Sequence, residues 1–345
     1  MKHKLAVLGL TLILITLIAS ECGGYVETGA KTGEGSLSFD KLRAGSFACT
    51  SFAVYSNETV YGMNFDYPDT EIRFTINPSG SLKVFQMEFE QNGWSPTVGM
   101  NSAGLFSSCQ MLFPEVPAPA SPGADELYPW QVYGEALFNF DSVADVAKFI
   151  EDKKVVHYSV TLHDLFADTQ GDAMIVEVGE KENAITRIEH DFIVMTNFPN
   201  KDFAGQSYET VEGVGSERYK IAYENIADHL VTFDVARGLD TLEKVAISGE
   251  FSTQVSMVFA PERSEVYIAL KRDFGKIWKV SIEDGTIETY SGFSKARNMD
   301  LGPAGVLASD LINTPSGAPW GVYLIIGLLV ALVSGVGFFV IRKRT

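Results

Sequence analysis

Basic residues are scarce in this 345-residue chain: 27 Lys+Arg stand against 44 Asp+Glu, a formal net charge of −17. Gripping a phosphate backbone needs the opposite balance, so no nucleic-acid partner is expected. Cysteine is scarcer still, with three residues, too few for a disulfide scaffold. There is no Cys-x-x-Cys and no His-Glu-x-x-His. The five histidines (His3, His157, His163, His190 and His229) are scattered, so no metal is expected, and the reading reached below implies no cofactor. No period of about 20–50 residues is visible, which argues against solenoids and propellers. No Gly-x-Gly-x-x-Gly opens a helix, which disfavours a dinucleotide fold. No Gly-x-Ser-x-Gly elbow exists; GVGSE at 213–217 has the wrong spacing.

Apolar residues are plentiful, at 46% against 21% charged, so the chain can build a packed core. Two apolar runs lie at the ends. Residues 1–20 place Lys2, His3 and Lys4 before an uncharged stretch from Leu5 to Ile18, followed by Ala19 and Ser20. This is a secretory signal pattern, too short for a comfortable membrane span. Residues 320–341, from Trp320 to Ile341, carry no charge and precede Arg342, Lys343 and Arg344. As a helix they reach about 33 Å, enough to cross a bilayer's hydrocarbon layer. Trp320 and Tyr323 suit an interfacial belt, and the basic tail 342–345 belongs inside. The reading is a single-pass cell-membrane protein with an extracytoplasmic domain, partnered to the membrane by its C-terminal helix. A cleaved sorting signal is the alternative, though no LPxTG-like motif precedes the span. Between Cys49 and Pro319 there are 19 Lys+Arg and 40 Asp+Glu, a net of −21, which disfavours anionic surfaces and polymers.

Residues 21–48 are rich in Gly, Ser, Thr and Lys without a period and read as a linker or propeptide. Order begins at Cys49. Ser51–Tyr55 and Thr59–Phe65 are β-rich runs around Ser56-Asn57-Glu58, which reads as a hairpin. Asn57-Glu58-Thr59 is also a glycosylation sequon. A hairpin centred on Asn57-Glu58 sets Cys49 opposite Asp66. Further strands are expected at 83–90, 104–113, 159–166, 173–178, 193–196, 255–260, 265–270, 277–282 and 286–290. Helices are expected at 130–138, 143–150, 216–230 and 239–247, the second capped by Ser142 and Asp145. Residues 114–122 form a Pro/Ala loop. Strand runs separated by helix pairs suit layered α and β structure with mostly antiparallel sheets.

A chain cut before Cys49 would leave that cysteine with a free α-amine. An α-amine titrates near 7.7–8, so a useful fraction is neutral at about pH 7 and can take the thiol proton. Asp66 would hold the amine. The plainer fate of a cysteine in an apolar setting is burial.

The segment CTSFAVYSNETVYGMNFDYP from Cys49 resembles the opening of the choloylglycine hydrolase family. That family includes conjugated bile salt hydrolases and penicillin V acylases, with acid ceramidase-type amidases as relatives. The resemblance runs in spaced blocks from Cys49 to about Tyr290. It implies an α+β fold, a four-layer αββα sandwich with antiparallel sheets over residues 49–312. A linker at 313–319 then leads to the transmembrane helix. It also implies cleavage of linear, non-peptide C–N amide bonds by an N-terminal nucleophile.

Residue by residue, Cys49 matches the nucleophile and Asp66 the aspartate that contacts its amine. GMNSAGLFSSCQMLF at 99–113 resembles a block whose oxyanion donor falls at Met111, where only a backbone N–H can serve. ADTQGDAMIVEV at 167–178 resembles the family's Asp-x-x-Gly…Glu strand pair. MTNFP at 195–199 maps Asn197 onto the oxyanion asparagine, a donor worth about 10²–10³ in rate. GSERY at 215–219 maps Arg218 onto the active-site arginine, which stays charged and can bind Asp66 or support a thiolate. Met63 departs from the pattern: the family has arginine there, beside the thiol. Arg73 and Arg218 are candidates to compensate. Cys109 reads as core packing. Asp66, Asn197 and Arg218 also have ordinary structural uses, as a strand-end cap, a turn residue and a helix-surface residue. The reading is therefore a membrane-anchored amidase acting on small N-acyl amides after autoprocessing at Ala48–Cys49. The alternative is a binding or envelope protein that kept the fold and lost the chemistry, argued by Met63 and Met111.

Overall fold

The computed structural model describes residues 49–114, 122–157 and 160–314. The expected signal peptide, propeptide and transmembrane helix, and most of the Pro/Ala loop, lie outside the described residues. Among those described, no helix is long and apolar enough to cross a membrane.

In chain order the strands are β1 Thr50–Tyr55, β2 Thr59–Asp66, β3 Ile72–Ser79, β4 Leu82–Glu90, β5 Trp94–Asn101, β6 Phe106–Met111, β7 Glu126–Leu127, β8 Lys154–Val155 and β9 Leu162–Ala167. They continue with β10 Ala173–Glu177, β11 Ala184–Arg187, β12 Phe192–Met195, β13 Thr253–Ala260, β14 Glu265–Leu270, β15 Ile277–Ser281, β16 Thr286–Ser291, β17 Asn298–Asp300 and β18 Val306–Leu307. The α-helices are α1 Pro129–Asn139, α2 Val143–Phe149, α3 Ser216–His229, α4 Val235–Lys244 and α5 Ala308–Ile312.

Two eight-stranded sheets dominate, in the orders β12-β1-β2-β13-β14-β15-β16-β17 and β11-β10-β9-β6-β5-β4-β3-β18. Neighbouring strands in both run antiparallel. Their inner faces share one core, in which Tyr61, Met63 and Met257 of the first sheet meet Phe85, Phe106 and Leu165 of the second. Helices α3 and α4 cover the outer face of the first sheet, where Ala222, Ile226 and Leu242 pack on Phe52, Val60 and Val258. Helices α1 and α2 cover the second, where Val132, Ala136 and Val146 pack on Leu105, Phe166 and Val176. The layers thus run α, β, β, α, as the resemblance implies. Strands β2 and β13 lie at the centre of the first sheet and are buried at every residue, because a sheet covers one face and helices the other. Gly62 is needed in β2: a Cβ there would sit 2.2 Å from the Phe52 ring packed over it.

The hairpin register differs from expectation by one residue. Thr50 pairs with Asn64 and Ser51 with Met63, so continuing the ladder sets Cys49 opposite Phe65, while Asp66 pairs with Thr253 of β13. The loop spans Ser56-Asn57-Glu58, three residues rather than a two-residue turn, and that odd residue moves every pair by one. Ser142 caps α2 as expected, accepting from the Asp145 N–H. Helix α4 starts four residues before its expected start, because the Asp234 carboxylate caps it by accepting from the Arg237 N–H at 2.9 Å.

Candidate active site

Four elements converge at the N-terminal end of β1. Cys49 immediately precedes that strand and is buried, with 7% of its surface exposed. Asp66 ends β2, Asn197 follows β12, and Arg218 lies in the first turn of α3. The four residues expected from the motifs are therefore brought together, although they span 169 positions of chain.

Arg218 ties the group. Its Nη1 donates to the Cys49 carbonyl oxygen and to Thr50 Oγ1, both at 2.6 Å, and its Nη2 donates to Asn197 Oδ1 at 2.9 Å. Nη1 also lies 3.9 Å from Asp66 Oδ2. A planar fork with fixed donor directions can hold these partners at once, and an ammonium cannot. The backbone makes room: Gly215 starts the helix at φ 84°, and a Cβ there would come within 2.5 Å of Arg218 Nη2 and 3.0 Å of Thr196.

Asp66 is fully buried; Thr253 Oγ1 donates to its Oδ1 at 2.5 Å. Its Oδ2 has no hydrogen-bond partner among the described residues. Burial pushes this carboxyl up to about 7, against the pull of Arg218 and Thr253. Burial also pushes the Cys49 thiol up to about 12, reinforced by the Asp66 charge and opposed by the Asp66 backbone N–H and by Arg218. With residue 48 still attached, the thiol is thus protonated at neutral pH and needs a base. Burial lowers Arg218 from its ordinary value, while the Asp66 and Cys49 charges raise it.

Asn197 is held on all sides. Its Nδ2 donates to the Met111 carbonyl at 2.7 Å, and its own carbonyl accepts from the Phe113 N–H at 2.8 Å. An amide nitrogen carries two hydrogens, and the bond to Met111 uses one of them. Met111 thus takes part through its carbonyl, which orients the asparagine. Met63 faces the inter-sheet core between Ser51 and Met257, fully buried in the same cluster as Cys49. Arg73 does not replace the missing arginine. It is paired with Glu88 through Nε at 2.7 Å and lies over the Trp94 ring at 4.3 Å. Its neighbours Ile72 and Phe74 face the inter-sheet core, so strand alternation points Arg73 to the other face. The cation at the thiol is Arg218. Cys109 packs with Val84, Tyr133 and Leu137 beneath α1, as expected of a core residue.

Sequence reasoning missed Thr50, Thr253 and Gly215 as site residues. Thr50 and Gly215 lie inside the quoted motifs, so their adjacency to Cys49 and Arg218 was an available signal. Thr253 had none, being 187 residues from Asp66 in sequence.

No family model matches the chain, and no curated protein does. Solved structures do. A variant of conjugated bile acid hydrolase from Clostridium perfringens is 16% identical, with a TM-score of 0.52, over 73% of this chain and 98% of that one. Penicillin V acylase from Agrobacterium tumefaciens is 18% identical, with a TM-score of 0.51, over 68% of this chain and 91% of that one. Both likenesses are of fold, and the chain accordingly shares the αββα fold of conjugated bile acid hydrolase and penicillin V acylase.

Proposed function

We propose that this chain is an amidase that hydrolyses linear, non-peptide C–N bonds of small N-acyl amides through Cys49, exposed as the N-terminal residue of a processed chain. The observation that carries the reading is Arg218 bonded at once to the Cys49 carbonyl and to Asn197. A strand-end Asp, a turn Asn and a helix Arg with only local duties have no reason to meet at one thiol. The solved structures sharing the fold are named a conjugated bile acid hydrolase and a penicillin V acylase, which supports a hydrolase reading.

The chemistry follows from the residues. Loss of residues 1–48 frees the Cys49 α-amine, for which Asp66 Oδ2, without a hydrogen-bond partner among the described residues, is a ready anchor. The neutral amine takes the thiol proton, and Sγ attacks the amide carbonyl carbon. The second Nδ2 hydrogen of Asn197 stabilises the oxyanion. The intermediate collapses, the C–N bond breaks, and the leaving amine takes the proton held by the α-ammonium. Water then attacks the thioester, giving its proton to the α-amine. Collapse releases the acid, and the thiolate recovers the proton.

The apolar span 320–341 and its basic tail support a membrane tether with the domain outside the cytoplasm. The test combines the N-terminus of the mature chain with turnover. Mass spectrometry should find Cys49 first, and an acyl-amide panel should be hydrolysed by the wild type and not by Cys49→Ala. A mature chain with Cys49 internal would sink the reading. A free Cys49 N-terminus without turnover would support the second reading, a binding protein, which buried Met63 in place of arginine favours.

A further inference from the structure

We infer that His163 and Glu177, which the proposed chemistry does not use, are positioning residues that aim Asn197 at the substrate oxygen. The inference rests on the amidase reading. His163 on β9 and Glu177 at the end of β10 are both fully buried. His163 Nε2 lies 2.7 Å from the Thr196 carbonyl, which can only accept, so Nε2 carries a hydrogen. Glu177 Oε1 accepts from the Asn200 N–H and Oε2 from the Lys201 N–H, both at 2.8 Å. His163 Nδ1 closes the pair at 3.1 Å from Oε1. The residue before Asn197 and the turn just after Pro199 are therefore held by one buried pair.

The other side of Asn197 is held by Arg218, Met111 and Phe113. The asparagine is thus fixed from two directions by groups drawn from several strands and a helix. A buried ionisable pair contributes little to stability, because desolvation offsets the attraction and apolar residues of equal volume pack as well. What apolar residues cannot do is accept two consecutive amide N–H groups while donating to a carbonyl four residues earlier. That geometry sets the direction of the turn, and with it the side chain of Asn197. An oxyanion donor works only within a narrow range of position, and a shift of about 1 Å costs on the order of 10²-fold in rate.

The test is run on the full chain with three substitutions. Glu177→Gln puts an NH2 donor against an amide N–H. His163→Leu removes both ring contacts. His163→Gln keeps a donor near the Nε2 position. Rates are normalised to Cys49 thiol titrated by iodoacetamide, so that loss of folded protein does not count as loss of rate. Glu177→Gln and His163→Leu should lower kcat by about 10²-fold with KM within about twofold, and His163→Gln should recover much of the loss. Hydrogen exchange of peptides covering 196–201 should quicken in the first two. Unchanged kcat per titrated thiol, or a rise in KM alone, overturns the inference. If the wild type hydrolyses nothing, the amidase reading is what has failed, and exchange then decides: faster exchange upholds the brace on this segment, and unchanged exchange overturns it.

Discussion

Arg218 Nη1 donates to the carbonyl oxygen of Cys49 at 2.6 Å. The contact joins the first turn of α3 to the residue before β1, so the guanidinium fixes the backbone of the proposed nucleophile rather than only its charge. The same fork reaches Thr50 and Asn197. Positioning of the proposed nucleophile and the proposed oxyanion donor is therefore shared through one side chain. Their relative distance is set by the width of a guanidinium.

Arg218→Lys should separate geometry from charge. Lysine keeps the positive charge near Asp66 but cannot reach Cys49, Thr50 and Asn197 together. The expected result is a kcat loss of about 10²-fold and a stability loss of about 2 kcal/mol, since hydrogen bonds to a charged group disappear in a buried site. Steady-state assays and urea unfolding check the two figures. Near-wild-type kcat would mean that charge alone matters.

The Asp66 carboxyl makes a pH prediction for the uncut chain. Its folded value is raised to about 7 from 3.8. The folded state therefore holds a proton that the unfolded chain releases near pH 4. Stability from this group is complete below about pH 4 and falls as pH rises towards about 7, by up to about 1.4 kcal/mol per pH unit. Urea midpoints of the Cys49→Ala chain, which should stay uncut, should show that decline. Asp66→Asn should flatten it and stabilise the chain at pH 7. The proposed processing would place an ammonium beside Oδ2, which favours the carboxylate, so a chain beginning at Cys49 should lose much of the slope.

How much of this was legible depended on whether the signal was local. The β1–β2 hairpin, β4, β6 and the four longer helices announced themselves through turn residues, alternation or a cap such as Ser142. Strands β3 and β5 did not; each carries a proline, Pro78 or Pro96, which removes a ladder donor and weakens a strand pattern. In the fold Pro78 lies one residue from the end of β3, and Pro96 sits where the β4–β5 register shifts between Met87 and Glu88. Edge strands β11, β17 and β18 are two to four residues long and have too few residues to show a period. Cys49, Asp66, Asn197 and Arg218 were visible because each lies in a quoted motif, Cys49 and Asp66 in the same one. Thr253 and His163 were invisible because nothing local connects them to the segments they hold; Glu177 lies in the quoted 167–178 motif, but nothing local connects it to Asn200 and Lys201.

Gly215→Ala should damage the site by filling the space that Arg218 occupies. The residue adopts φ 84°, which strains any L side chain, and its added Cβ would lie 2.5 Å from Arg218 Nη2. Arg218 would have to leave Asn197. The expected stability cost is about 1–3 kcal/mol, with kcat falling towards the Arg218→Lys level. Wild-type kcat in a merely destabilised variant would show that the Arg218–Asn197 bond is dispensable.

Met63→Arg sets two opposing effects against each other. In the uncut chain the thiol is pushed up to about 12, first by burial and then by the Asp66 charge. A guanidinium reaching it would favour the thiolate, and lowering the thiol pKa by about one gives about tenfold more thiolate. Met63 is also fully buried between Ser51 and Met257. An arginine without a partner there costs about 3–5 kcal/mol. The two effects appear in different measurements. Unfolding midpoints should fall, and the rate per titrated Cys49 thiol should rise by about tenfold. Met63→Leu, with similar volume and no charge, should change neither by much. Undiminished stability in Met63→Arg would mean that the arginine finds solvent or a carboxylate instead of the thiol. If wild type and Met63→Arg both begin at Cys49 and neither turns over any acyl amide, the chain is a binding protein, and the methionine is not what silenced it.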